Sequence, residues 1–351
     1  MKYFKGKWLL LPASWLYGGI TDIRNWLYDS QLIRSLRPSL PTISVGNLTV
    51  GGTGKTPMIE FLIKRSLSPT LNVPKRIVSL SRGYGRQTKG FRVATDADTA
   101  ATIGDEPLQL YRKFGQAIQV TVGERRADAI LTIQDRFPET KQILLDDAFQ
   151  HRAVQPKLNI LLMDYNRPFY EDYPFPAGRL RERRNSARRA DGIVVTKCPA
   201  NLWETEQQRI TSQIRTYCRP ETPVFFAGLQ YEDPVSFATK QTVTSLPPVV
   251  LVSGLARAEP LEQYVRQTYQ LIHHERFADH YAYTRNDLDK LITALPSGAA
   301  LLTTEKDWVK LDTLLTTDER SALPLYFLPV AMQFLPGQDS AFTQFLERAK
   351  E

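Results

Sequence analysis

The chain has only two cysteines, Cys198 and Cys218, in 351 residues. Two thiols make neither a disulfide framework nor a metal cluster, and they suit a reducing compartment. With only four histidines (His151, His273, His274 and His280), a zinc site of ordinary ligand spacing is not expected. Internal repeats and low-complexity segments are absent. The N-terminal apolar run, Trp8 to Ile20, is 13 residues long. A membrane-spanning helix needs ~20, so this run is too short to cross. A signal peptide would share its charged start and short core, but no clean small-residue cleavage site follows.

What is present points to a folded protein. Hydrophobic residues make up 42% and charged residues 23%, the balance of a globular chain. The length suits two domains and a sizeable core. The formal charge of +8 calls for an anionic partner: nucleic acid, a phosphorylated substrate or a membrane surface. No recognisable RNA- or DNA-binding motif accompanies the charge, so no nucleic-acid partner is expected.

The chain is organised around Val45 to Thr56. Apolar residues from Pro41 lead into a glycine-rich loop, then Lys55-Thr56, then a helix-like run from Pro57 to Ser66. That order predicts strand, phosphate cradle and helix N-terminus. Thr49, Gly51, Gly52, Thr53 and Gly54 form the cradle, Lys55 reaches the outer phosphates, and the Thr56 hydroxyl ligates Mg²⁺. Thr49 stands where the generic pattern has glycine. The plainer alternative is a glycine-rich turn capping a helix.

A second signal is Ile143-Leu144-Leu145-Asp146-Asp147, an apolar strand ending in acids about 90 residues after Lys55. Such a strand holds the metal beside a phosphate loop, and either aspartate can serve. Arg82 and Arg86 flank a glycine-rich turn after a strand over 76–81; they clamp phosphate or form a solvated turn. Asp105 and Glu106 stand at a helix start, where capping competes with general-base chemistry. Arg125 and Arg126 are solvated first-turn charges or phosphate ligands. His151 is structural as readily as functional. Arg183, Arg184, Arg188 and Arg189 extend a basic run that is either a solvated face or a contact with anionic headgroups or phosphate.

Before the loop, Lys2, Lys5 and Lys7 precede the apolar run, and Trp8, Trp15, Tyr17, Trp26 and Tyr28 lie in or near it. Ile23, Trp26 and Leu27 continue an amphipathic pattern to Leu32, Ile33 and Leu36. Basic and aromatic residues together suit an element lying at headgroup level. A helix packed on the protein's own core is the alternative.

After the acids come a strand over Leu158–Asp164 and another over Ile193–Lys197, expected to be the last of the first sheet. Two extended runs, 223–229 and 324–330, flank a compact α/β pattern: strand 249–252, helix 259–268, helix 286–295 and strand 300–303. The expected fold is α/β: a P-loop NTPase-type, mostly parallel sheet flanked by helices, with a smaller second α/β domain. The expected divisions are a membrane-associating segment (1–40), a P-loop kinase domain (41–222), the second domain with its linker strands (223–330) and a C-terminal helix (331–351).

Several ordered blocks closely resemble the tetraacyldisaccharide 4'-kinase family of lipid A biosynthesis. They are 46–57, 81–86, 104–107 (Gly-Asp-Glu-Pro), 146–151, 176–182 (Pro-Ala-Gly-Arg-Leu-Arg-Glu), 253–257 and 277–281. In that family Thr49 is the norm. Ala148, Ala258 and Ala278 depart mildly from its usual residues. The resemblance implies transfer of the ATP γ-phosphoryl group to the 4'-hydroxyl of tetraacyldisaccharide 1-phosphate, giving lipid IVA. It implies a base, Asp105, cooperating with His280, beside Lys55. The expected substrate contacts are Arg82, Arg125, Arg181 and Glu182, and the expected Mg²⁺ ligands Thr56, Asp146, Asp147 and Glu106. The expected setting is the cytoplasmic face of the bacterial inner membrane, with the protein peripheral or monotopic. A monomer is expected, though no motif fixes oligomeric state. The rival class is a membrane-associated P-loop switch or assembly factor without a lipid acceptor.

Overall fold

The computed structural model describes residues 7–67 and 77–348. Lys2, Lys5 and Arg76 lie outside them. In chain order the strands are β1 (Thr42–Asn47), β2 (Ile77–Ser81), β3 (Arg92–Val93), β4 (Gln119–Val122), β5 (Gln142–Asp146), β6 (Leu158–Asp164), β7 (Gly192–Thr196), β8 (Val224–Tyr231), β9 (Val235–Ser236), β10 (Val249–Ser253), β11 (Leu271–Arg276), β12 (Ala300–Thr304), β13 (Leu325–Leu328) and β14 (Val330–Phe334). The helices are α1 (Leu11–Asp29), α2 (Lys55–Ser66), α3 (Ala100–Ile103), α4 (Asp105–Phe114), α5 (Arg126–Arg136), α6 (Glu204–Arg215), α7 (Glu259–Thr268), α8 (Arg285–Thr293), α9 (Glu305–Asp312), α10 (Thr317–Ala322) and α11 (Gln338–Glu347).

The strands form two sheets. The larger runs β14-β8-β7-β6-β1-β5-β2-β4-β3, parallel except at its two edges. The smaller runs β11-β10-β12-β13-β9, with only the β13–β9 pair antiparallel. β7 is therefore not the last strand of the first sheet. β8 pairs parallel to it, and β14 returns from beyond the second sheet to pair antiparallel with β8. The run 223–229 becomes β8 of the larger sheet, packed through Phe225 on Phe334 of β14 and Phe342 and Phe345 of α11, whereas 324–330 mostly forms β13 of the smaller sheet.

β1 reads apolar because it is covered on both faces; all six residues are buried. α2 packs against it through Met58, Ile59, Leu62 and Ile63. Burying each of those side chains is worth ~1.5–3 kcal/mol. In the second sheet, Asp307 at the start of α9 accepts from Gly254 N (2.8 Å) and from Thr304 Oγ1 (2.8 Å), tying the β10 and β12 loops together. Ser253 Oγ, His274 Nε2 and Glu262 Oε2 also contact one another in series, at 2.9 and 2.8 Å. Ser253 is only 1% exposed, so this chain clips α7 to the sheet and offers no accessible nucleophile.

α1 is amphipathic in an unusual sense. Its buried residues are Ser14, Gly18 and Asn25. Its large apolar residues face outward: Trp15 is 62% exposed, and Leu16, Ile20, Ile23 and Trp26 are comparably open. The inner face is fastened by polar contacts. Ala177 N donates to Ser14 Oγ (2.8 Å), Tyr17 donates to Arg181 O (3.0 Å), and Arg183 meets Asp22 (3.1 Å). The helix ends at Asp29, so Leu32, Ile33 and Leu36 do not extend its stripe; Leu36 instead bridges to Val154.

Gly46 tests the packing of the central strand. A Cβ there would stand 2.8 Å from Phe149 N, a backbone atom that cannot yield cheaply. Gly46→Ala is expected to lower unfolding free energy by ~1–3 kcal/mol in a denaturant titration; an unchanged midpoint would show that the strand yields there.

Candidate active site

Parallel pairing of β1 with β5 sets Val45 opposite Asp146. The glycine-rich loop and the two aspartates therefore leave the same sheet edge side by side. The loop turns through left-handed glycines, Gly51 (φ +115°) and Gly54 (φ +84°). A Cβ at Gly51 or Gly52 would meet nothing within 4 Å, so the loop's inner side is open. Gly54 caps α2, and Lys55 and Thr56 begin the helix.

The loop is braced from three sides. Asn47 Nδ2 donates to Thr53 Oγ1 (2.8 Å). Thr196 Oγ1 donates to Thr53 O (2.8 Å), and Lys197 Nζ donates to Gly52 O (2.5 Å) while pairing with Asp164 (2.8 Å). Val50 N donates to Arg179 O (2.8 Å) and Arg181 N to Leu48 O (2.7 Å), a short antiparallel contact with the 174–181 segment. The sequence reading did not single out Asn47, Thr196 or Asp164 as braces, or use Lys197. The available signal was Asp164 and Lys197 standing at the ends of apolar strands.

Asp147 takes a left-handed backbone (φ +48°), as do Lys197 (φ +59°) and His280 (φ +57°). For residues with side chains such a conformation costs on the order of 1 kcal/mol and tends to cluster at functional sites. Asp147 is held by Arg181 (2.8 Å) and faces Lys55 (3.8 Å). Burial opposes its ionisation, but Lys55 and Arg181 outweigh it and keep its pKa below the usual carboxylate value.

Asp146 contrasts with its neighbour. Its Oδ1 is buried without a hydrogen-bond partner. Burial, with Asp147 and Glu106 nearby and Lys55 opposing, pushes its pKa up to about 7. An orphaned carboxylate oxygen beside further carboxylates suits a hard cation that takes oxygen ligands. Thr56, Asp146, Asp147 and Glu106 carry oxygen donors of the kind Mg²⁺ takes, but among the described residues no three acidic or imidazole groups already converge as a metal site.

Arg126 is the arginine that turns inward. It is 2% exposed, donates to Gly123 O, and has its Nε and Nη2 buried without partners. Burial lowers its pKa to about 10, with Asp146 opposing. Arg125, the residue expected to meet substrate, is 85% exposed and pairs with Asp128 (2.9 Å). The reason is helical geometry: Arg126 is the first residue of α5, while Arg125 precedes it in extended backbone. Glu182, also expected to meet substrate, is 1% exposed and lies between Arg189 and Arg24. Arg86 closes on Glu124 (2.5 Å) and Gly90 O (2.6 Å), leaving Arg82 as the more open of that pair. Arg82, Tyr84 and Glu124 line a cavity of about 470 Å³. His151 is driven down to about 4, first by burial and then by Arg126 and Arg82, which keeps it neutral.

Asp105 and His280 come together from the two sheets. Asp105 opens α4 but makes no capping bond; its Oδ2 lies 3.1 Å from His280 Nδ1. Lys310 Nζ stands 3.6 Å from the same oxygen and donates to Tyr281 O (3.0 Å). Lys306 pairs with Asp279 (3.0 Å). For Asp105, burial raises the pKa, but the His280 bond and the two lysines prevail and lower it. For His280, the bond to Asp105 raises the pKa against burial. A carboxylate has no proton to give, so Nδ1 is the donor.

These shifts fix a pH window. His280's folded value lies above its unfolded one, so its contribution is complete below about pH 6.5 and lost as pH rises through the folded value. Asp105 is shifted the other way, so its contribution is lost as pH falls through its own folded value. NMR titration is expected to place His280 above the ordinary imidazole value, and Asp105→Asn to bring it down. An identical titration in the variant would remove the contact.

The family described as tetraacyldisaccharide-1-P 4'-kinase matches residues 6–350. A tetraacyldisaccharide 4'-kinase from Cytophaga hutchinsonii is 41% identical over 335 residues, spanning 95% of this chain and 93% of that protein. One from Flavobacterium johnsoniae is 37% identical, spanning 98% and 97%. The structure of LpxK from Aquifex aeolicus in complex with ATP superposes with a TM-score of 0.77 at 26% identity, covering 98% of this chain and 99% of that one. With the family model matching residues 6–350 and relatives 37–41% identical over nearly its whole length, the chain belongs to the tetraacyldisaccharide-1-P 4'-kinase family.

Proposed function

We propose that the protein transfers the γ-phosphoryl group of ATP to the 4'-hydroxyl of tetraacyldisaccharide 1-phosphate, forming lipid IVA. Family membership supports the reaction. The single observation that supports the acceptor chemistry is the Asp105–His280 contact, read here as a base and its partner.

Phosphoryl transfer needs alignment and charge neutralisation more than covalent help. The open loop from Gly51 to Gly54 offers backbone N–H groups to the β- and γ-phosphates. Lys55 supplies a fixed positive charge, and Arg181 holds Asp147 beside it. Arg82 and the inward Arg126 are the further proposed anion contacts. Mg²⁺, held by Thr56 and by Asp146 or Asp147 with Glu106 nearby, would neutralise charge on the phosphate oxygens. Asp105 takes the hydroxyl proton as the new O–P bond forms. His280 and Lys310 occupy its Oδ2, which leaves Oδ1 to face the acceptor. Keeping Asp105 ionised is part of that task, since a protonated acid cannot act as base.

The acceptor carries acyl chains, and the outward face of α1 supplies a matching surface. No described helix is long and apolar enough to cross a membrane. α1 instead lies in the headgroup region, with Trp15, Ile20, Ile23 and Trp26 toward the acyl boundary. Its polar face is fastened directly to the 177–183 segment that holds the loop. The proposed location is the cytoplasmic face of the inner membrane.

Two measurements test this reading. With labelled ATP and acylated disaccharide phosphate, wild-type protein is expected to label the lipid, while Asp105→Ala and His280→Ala fall by ~10²-fold or more. Label released only to water would favour the nucleotide-switch alternative, and wild-type turnover in either variant would remove that residue from the mechanism. Separately, Trp15→Ser with Ile23→Ser is expected to weaken binding to anionic phospholipid vesicles by ~10-fold or more while ATP binding stays unchanged. Undiminished vesicle binding would move the membrane contact to another surface.

A further inference from the structure

We propose that Lys113 is a positioning residue that sets the distance between the phosphate-loop helix and the lobe carrying His280. Its ammonium lies 2.6 Å from Glu60 on α2 and 2.5 Å from Glu305 on α9. Lys113 itself is on α4, so one side chain joins three helices. Gln109, one turn earlier on α4, doubles the link: its Nε2 donates to Glu60 (2.8 Å) and reaches Glu305 (3.5 Å). Glu60, Gln109 and Glu305 are all buried.

Each of the three helices carries a part of the site. α2 begins with Lys55 and Thr56, and α4 begins with Asp105 and Glu106. α9 carries Lys306 and Lys310, which brace Asp279, Tyr281 O and Asp105 around His280. The cluster ties together the three elements whose relative placement decides whether donor, base and base partner meet.

Stability alone is a poor account of it. Two carboxylates share one ammonium in a buried setting, and burial together with Glu60 pushes Glu305 up to about 7. Buried ion clusters are commonly no more stable than uncharged replacements of similar volume, and their best-attested use is to fix one arrangement among several. The directional reach of Lys113 and Gln109 adds to non-directional apolar packing a fixed position of α9 against α2 and α4.

The proposal rests on the Asp105–His280 pair acting in the reaction. The test compares Lys113→Met with the triple variant Glu60→Gln/Lys113→Met/Glu305→Gln, using lipid phosphorylation and thermal unfolding. Lys113→Met leaves two buried carboxylates uncompensated, so both Tm and kcat are expected to fall. The triple variant removes all three charges and keeps the amide contacts. Its Tm is expected to return to near the wild-type value, while kcat stays at least ~10-fold low with KM for ATP within ~3-fold, as expected for misplacement of reacting groups. Recovery of kcat together with Tm overturns the proposal, and so does a triple variant that fails to fold, since the cluster would then serve stability. Asp105→Ala, assayed in parallel, separates the two readings: if it keeps wild-type turnover, the pair itself is not the base, whatever the triple variant does.

Discussion

The parallel register between β1 and β5 is the constraint on which the rest depends. It sets Val45 against Asp146, and the β1–β6 register sets Asn47 against Leu162. Because β2, β5, β6 and β7 all run with β1, their carboxyl ends emerge along one edge. That edge gathers the loop, Arg82, Asp146 and Asp147, Asp164, and Thr196 with Lys197. Open α/β sheets bind ligands at this edge because loops there are free to vary while the strands stay fixed. Here the gathering also has an electrostatic cost. Asp146 is left buried with an unpartnered oxygen, and Arg126 with unpartnered N–H groups. Unpaired buried groups of both signs are tolerated where a ligand completes them.

The donor half was largely legible in the sequence because its chemistry is local. Glycine spacing, Lys55-Thr56 and an apolar strand ending in acids are each visible within a few residues. The acceptor half was not. Asp105 and His280 are 175 positions apart, and only their place in ordered blocks pointed to both. What lies between local and family signals was left open. Arg125 and Arg126 are neighbours with the same charge, and only the start of α5 decides that one is solvated and the other buried. Glu182 reads as a substrate ligand until its burial between Arg189 and Arg24 is seen. The return of β14 to the first sheet was illegible for a different reason. An edge strand after a complete lobe carries the same apolar alternation whichever sheet it joins.

α1 shows a pattern that sequence periodicity finds but cannot orient. Periodicity says that one face is apolar; it does not say which face meets the protein. The inward residues are Ser14, Gly18 and Asn25, and a Cβ at Gly18 would come within 2.6 Å of Arg183 Nε. Small residues inside allow close approach, and hydrogen bonds replace apolar packing as the fastening. An exposed stripe containing two tryptophans would be a liability in water. At a headgroup boundary it becomes the favourable surface. The helix is anchored to the same segment whose backbone pairs with Leu48 and Val50. The proposed membrane face and the phosphate loop therefore share one connection through the 177–183 segment.

Division of the base pair between two sheets explains an otherwise odd distribution of burial. Contacts that join the lobes at depth are more closed: Glu60 and Glu305 are buried, and Lys113 between them is partly so. At the cleft's edge, the His280 side chain remains 38% exposed. The proposed acceptor keeps its acyl chains in lipid, so alignment of its head group falls to the protein. Rigid placement of α9 against α2 and α4 is the means available, and that is where the buried charges lie.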